Sequence, residues 1–169
     1  ATRRSSGEAF PIMAPMVADS NDAATMMREQ SQFKRALVQF QQLAIAMLSV
    51  GSWNPATSQL RTYLDEKTQA RLEDAGVEGE VAGIFVTRSG EVLDFDQLHR
   101  LIGIRPHELR TVPRIIVIAE GAPKAGTVIG AVRAVVGVDH HLGEADGQMV
   151  RDPFHHGRAF VLHGRQRHQ

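Results

Sequence analysis

An α/β fold is predicted by three observations. A short apolar run at residues 43–50 (LAIAMLSV) ends in Gly51, residues 114–119 (RIIVIA) form a clean strand pattern, and a helical pattern follows that strand after a Gly-Ala-Pro break. Strands that alternate with helical patterns argue for a mainly parallel sheet flanked by helices. The 169 residues give room for one domain with one core. With 43% apolar and 22% charged residues, the composition is that of a globular protein.

The elements follow in order. Residues 10–18 are apolar but carry Pro11 and Pro15; proline lacks an amide donor, so this stretch reads as an extended, edge-like segment. Asp19, Ser20, Asn21 and Asp22 are good helix N-caps, and residues 22–40 read as a helix that buries Met26, Met27, Phe33, Leu37 and Phe40. The run at 43–50 suits a buried parallel strand in length and position. Residues 52–58 form a loop, and 65–75 a helix that Gly76 terminates. Residues 81–87 read as a strand, with a turn at Ser89–Gly90 and a short return strand at 91–93. One helical turn is expected at 107–110, then the strand at 114–119 and a helix over 124–136 with Val128, Ile129 and Val132 on one face.

Charge is balanced overall, with 19 basic and 19 acidic side chains. A nucleic-acid binder usually carries a basic surplus, so no specific DNA affinity is expected of this chain. There is no cysteine, which excludes disulfides, thiolate metal sites and a cysteine nucleophile. No apolar run is long enough to span a bilayer, and no apolar signal core opens the sequence; a cytoplasmic location is expected. Composition shifts near Gly137. Residues 151–169 hold four Arg against one Asp, and His155, His156, His163 and His168 lie there. Residues 138–169 therefore read as a separate His/Arg-rich tail, without a periodic apolar face and expected to pack poorly.

Three places could carry chemistry. The strand–loop–helix unit at 114–136 presents Lys124 at the start of a helix, where free amides and the positive dipole end favour an anion. It matches neither a Walker loop nor a dinucleotide fingerprint, and the plain alternative is a βα turn with a solvated lysine. Gly51 and Ser52 leave the 43–50 strand; the glycine permits close approach and the serine can bond a hydroxyl, or the pair is an ordinary strand exit. Glu80 lies among glycines in GVEGEVAG (76–83), where a carboxylate can accept bonds from sugar hydroxyls or be a simple loop acid. His140–His141 and His155–His156 are adjacent pairs whose side chains point apart on regular structure, so no metal site is expected. No G-x-S-x-G elbow is present to anchor a catalytic triad.

The order of motifs resembles the effector-binding domain of SorC-type sugar-responsive transcriptional regulators, within the DeoR superfamily. Five stretches carry the likeness: AFPIMAPMV (9–17), LAIAMLSVGSW (43–53), AGVEGEVAGIFVTRSGEV (75–92), LIGIRPHELRTVPRIIVIAEG (101–121) and PKAGTVIGAVRA (123–134). The resemblance implies a Rossmann-like sheet related to sugar-phosphate isomerases and deaminases. It also implies a sugar or phosphosugar effector, no cofactor, no catalysis, and a homo-oligomer in the full-length protein. DNA would be bound only through a separate helix-turn-helix domain missing from this chain. Carried over residue by residue, Gly51 and Ser52 match the strand exit beside the ligand, Glu80 the acidic residue after "GAVG", and Lys124 the lysine of "Ka.AI". Glu120 stands where the family has glycine, and Ser49 falls in the family's "GIG" zone. By the same likeness residues 1–137 form a partial effector domain, incomplete relative to the family, and 138–169 a divergent tail. The competing reading is an enzyme acting on sugar phosphates, for which Glu80, Asp94 and Asp96 are the available acids; a third is a fragment without a ligand.

Overall fold

The computed structural model describes residues 7–136, 148–151 and 158–163. The proline-interrupted opening segment is extended, as expected of a chain short of amide donors. It bridges antiparallel at Val17–Leu101, with Ala18 N donating to Arg100 O (2.9 Å) and Ile102 N to Met16 O (2.9 Å). The helix expected over 22–40 is two helices, α1 (Asn21–Glu29) and α2 (Ser31–Phe40). Ser20 caps α1 by accepting from Ala23 N at 3.1 Å. Gln30 is the break: at φ −66° and ψ 143° it ends α1 and begins α2. Of the five apolar positions expected to be buried here, only Phe33 is fully so, and Met26 is exposed.

β1 (Ile45–Ser52) and β4 (Arg114–Ala119) form the parallel pair, in register from Ile45–Arg114 to Ser49–Ile118. Between them in the chain lie α3 (Glu66–Asp74), β2 (Val77–Val81), β3 (Ile84–Thr87) and the single turn α4 (Pro106–Leu109). Asp65 caps α3 through Thr68 N at 2.8 Å, and Gly76 ends it at φ +74°. After β4 come α5 (Ala125–Val136), β5 (Gln148–Arg151) and β6 (Arg158–His163). The sheet order is β3-β2-β1-β4-β6-β5.

The α/β class holds, but the sheet is not mainly parallel. β1–β4 is its parallel pairing, while β1–β2, β2–β3, β4–β6 and β5–β6 are antiparallel. Two features account for the difference. Residues 76–83, read as a glycine-rich loop, are the first arm of a hairpin: Ala82 (φ +51°) and Gly83 (φ +84°) make its two-residue turn, the geometry that matches strand twist. The strand expected at 81–87 is therefore the turn and the second arm, and the return at 91–93 is reduced to one bridge, Val86–Val92. Second, the segment read as lacking strand patterns supplies β5 and β6, with β6 paired along the whole of β4. The rest of 138–169, including His140, His141, His155 and His156, lies outside the described residues.

Two cores straddle the hairpin. Ala46, Val50, Val81, Val86, Ile115 and Val117 meet Val128, Ala131 and Ala134 of α5. Trp53, Leu60, Leu72 and Phe85 form a second cluster under α3. The opposite face of β1 is open, with Ile45 47% and Met47 66% exposed, so the run at 43–50 is buried on one face rather than two. α5 fixes the depth of the fold. A Cβ on its Gly130 would lie 2.3 Å from the carbonyl oxygen of Thr87. Alanine favours a helix over glycine by about 1 kcal/mol, yet here it would push α5 off β3. Gly130→Ala is expected to cost about 1–3 kcal/mol, measured by urea unfolding; a gain in stability would refute the close contact.

Candidate functional site

β1 delivers Gly51 to a solvent-open trough of about 1140 Å³. Its lining includes Met47, Ser49 and Gly51 of β1, Glu80, the hairpin turn, the 98–107 segment and Lys124. Three of the four residues singled out in the sequence, Gly51, Glu80 and Lys124, are thus brought together on one cavity.

Gly51 pairs with Glu80 across β1 and β2. A Cβ on Gly51 would lie 2.5 Å from Glu80 Oε1 and 2.6 Å from Ser58 Cα, so only glycine lets the carboxylate lie over the strand. The other carboxylate oxygen accepts from Gly83 N at 3.1 Å; the hairpin turn holds the side chain it follows. Burial pushes the Glu80 carboxyl above its ordinary range, while the Gly83 amide, the charge of Lys124 and the Ser58 hydroxyl hold it back. Lys124 ends a one-turn 3₁₀ segment, Ala122–Lys124, that follows Gly121 and leads into α5. Its ammonium lies within Coulombic reach of Glu80.

Ser52 is placed differently. It is buried, donates from Oγ to Pro55 O at 2.8 Å, lies 2.9 Å from Thr57 Oγ1, and receives Thr57 N and Ser58 N on its carbonyl at 3.0 and 3.1 Å. Those bonds brace the 52–58 loop and keep the hydroxyl off the cavity wall. The braced loop instead presents Thr57 and Gln59, which sequence reasoning missed. Loop polarity was the available signal, but nothing in the sequence says which loop residues face inwards. Arg105, His107 and Arg110 line the trough further along.

Of the acids considered for catalysis, Glu80 and Asp94 line the same trough, with His99, while Asp96 does not. Asp94 Oδ1 and Asp96 Oδ1 lie 2.9 and 3.7 Å from the two ring nitrogens of His99, and Asn21 Nδ2 donates to Asp96 at 3.2 Å. Among the described residues no group of three His, Asp or Glu is arranged to hold a metal ion, and no helix is long and apolar enough to cross a membrane. Glu80 and Lys124 offer an acceptor and a charged donor beside free cavity volume, an arrangement suited to recognising hydroxyls.

Comparison with known proteins agrees. The Sugar-bind model, which describes a sugar-binding domain, matches residues 1–137. Transcriptional regulator LsrR of Enterobacter sp. (strain 638) is 27% identical over 126 residues, covering 72% of this chain and 39% of that protein. The crystal structure of a transcriptional regulator from Streptococcus pneumoniae TIGR4 superposes with a TM-score of 0.72 at 22% identity, covering 79% of this chain and 52% of that one. The full-length sorbitol operon regulator SorC from Klebsiella pneumoniae gives 0.64 at 20% identity, over 72% of this chain and 40% of that one. The two superpositions speak for the fold; the chain spans about half or less of each of these proteins. The enzyme alternative finds no support among them. With the Sugar-bind model matching four-fifths of its length and transcriptional regulators, SorC among them, sharing its fold, the chain belongs to the Sugar-bind family of sugar-binding domains, the family to which its five motifs pointed.

Proposed function

We propose that this chain is the sugar-sensing part of a bacterial transcriptional regulator and works by binding, without catalysis. The observation that carries the reading is the meeting of Glu80 and Lys124 at Gly51 on one cavity, in a chain of the sugar-binding family. The ligand is a sugar or phosphosugar: Glu80 accepts hydroxyl protons, and Lys124 donates from an ammonium with three N–H bonds. Residues 1–137, the span of the family match, are the sensing module, and 138–169 a divergent tail. In the whole regulator, a homo-oligomer in the cytoplasm, sugar occupancy controls a separate helix-turn-helix domain that meets DNA. The regulators among the relatives support this division of labour.

Titration calorimetry of the chain against a panel of sugars and sugar phosphates tests the reading. Lys124→Ala is expected to weaken whichever ligand binds by about tenfold, the value of one hydrogen bond to a charged group. Thermal stability at neutral pH should fall only slightly, because Lys124 lies outside the core and its loss removes one of the contributions that offset burial of the Glu80 charge. Unchanged affinity in Lys124→Ala would remove this residue from the site, and no binding across the panel would count against the function.

A further inference from the structure

Residues 100–114 carry four arginines, Arg100, Arg105, Arg110 and Arg114, against one acid, Glu108, in a chain whose formal net charge is zero. The fold brings Arg105, His107 and Arg110 to the wall of the trough. The single turn of α4 gathers them: Arg105 precedes its first residue, Pro106, His107 lies within it, and Arg110 follows Leu109. Glu108 does not neutralise the three. Its Oε1 lies 3.6 Å from Arg28 Nη2, and its Oε2 accepts from the backbone N–H of Arg105 at 2.6 Å. Among the described residues no carboxylate forms an ion pair with the side chain of Arg105, His107 or Arg110. Arg28, which donates to Gly103 O at 2.9 Å, stands close enough for the charge of Arg105 to act on it.

This place is distinct from that of Glu80 and Lys124. Lys124 leads into the first residue of α5, whereas Arg110 Nε donates to Ala134 O, near the last, at 3.3 Å. At 1.5 Å per residue the two backbone anchors are about 13 Å apart along the helix. The charge of Lys124 bears on Glu80, while the charges of Arg105 and Arg110 stand uncompensated. A cleft wall of one sign concentrates potential and draws in the opposite charge. Each guanidinium can give two parallel N–H bonds to a phosphate or a carboxylate, and the His107 ring supplies a further donor. Arg105 is half-buried, and His107 and Arg110 are exposed to an arriving ligand.

We infer that Arg105, His107 and Arg110 form a second subsite on the trough wall, separate from Glu80 and Lys124, that binds a phosphate or carboxylate group. The inference goes beyond the sugar-binding reading and does not rest on it, because the cationic wall would hold an anion whether or not a sugar sits at Glu80.

The test uses the 169-residue chain and four variants: Arg105→Gln, the double variant Arg105→Gln/Arg110→Gln, Lys124→Ala, and Arg88→Gln, which removes an exposed arginine outside the trough lining. Each is titrated by calorimetry with inorganic phosphate, citrate, ribose and ribose 5-phosphate, and melting temperatures are read with and without phosphate or citrate. The expected result is that inorganic phosphate or citrate binds the parent and raises its melting temperature. Arg105→Gln should weaken that anion by about tenfold, and the double variant by more. Lys124→Ala and Arg88→Gln should leave its affinity unchanged. Arg110 also bonds Ala134, so if the double variant does not fold, Arg105→Gln alone decides. Displacement of the bound anion by ribose 5-phosphate would make a sugar ester its source, and failure to displace it a free anion; both uphold the subsite. Binding of neither anion to the parent overturns the inference. So does a loss of affinity in Lys124→Ala with Arg105→Gln unchanged, or an equal loss in Arg88→Gln and Arg105→Gln. Absence of ribose binding leaves the subsite standing.

Discussion

Trp53→Ala is expected to destabilise the fold by about 3–5 kcal/mol, the cost of emptying a buried aromatic site. The residue is the largest of the fully buried side chains, at 1% exposure. Its ring meets Phe85 edge-on, with centroids 6.0 Å apart and planes at 80°, an arrangement that adds to burial. Its indole N–H donates to Glu73 Oε1 at 3.0 Å, and the Arg61 guanidinium stacks 4.5 Å above the ring while pairing with the same Glu73 at 3.1 Å. Truncation would thus open a cavity in the second core and leave the Arg61–Glu73 pair without its platform. Trp53 also follows directly on Ser52, so the loop that shapes the cavity end depends on this anchor. Trp53→Phe, which loses the N–H but keeps most of the volume, should cost about half as much. The chain contains one tryptophan, so unfolding is followed by circular dichroism rather than fluorescence. A loss below about 1 kcal/mol for the alanine variant would mean that the second core collapses freely around the gap.

The elements that sequence reading placed well are those with local stop signals. The strand at 114–119 is bounded by Pro113 and Gly121, and α3 by Asp65 and Gly76; each begins and ends within a residue or two of expectation. What misled was glycine content. Residues 76–83 hold three glycines and so resemble a loop, but the strand tolerates Gly79 because Thr127 and the Gly51 carbonyl press against it, leaving no room for a side chain. Only a tertiary contact explains that residue, and none of it is written locally. The same holds for the site. Glu80 could be singled out because a charged residue among glycines is conspicuous, and Lys124 because it stands where a helix begins after a strand and a loop. Ser52 was equally conspicuous, but its hydroxyl is spent on Pro55 and Thr57, bonds between residues too irregular in backbone to foresee.

Glu80→Gln is expected to weaken sugar binding by about tenfold to a hundredfold, the value of one or two hydrogen bonds to a charged acceptor. The same change is expected to raise the stability of the unliganded fold at neutral pH. The two effects have one cause. Burial beside Gly51 pushes the Glu80 carboxyl up, and the Gly83 amide, Lys124 and Ser58 offset this only in part. The folded chain therefore holds this proton more tightly than the unfolded chain does. Stability from this group is greatest below the ordinary carboxylate range, falls as pH rises through the window between the unfolded and folded values, and is flat above it. Affinity runs the other way, because the ionised carboxylate is the better acceptor for hydroxyls: it should rise with pH through the folded value. Glutamine can still accept from Gly83 and so preserves the hairpin turn, but it has no proton to lose, and both pH dependences from this position should vanish in the variant. Thermal unfolding and calorimetric titration between pH 4 and 8, run on parent and variant, read the two slopes separately (a range spanning the ordinary carboxylate value of about 4.3). If stability and affinity rise together with pH in the parent, or if Glu80→Gln binds as tightly as the parent, the carboxylate is a structural brace for the hairpin and not the group that reads the sugar.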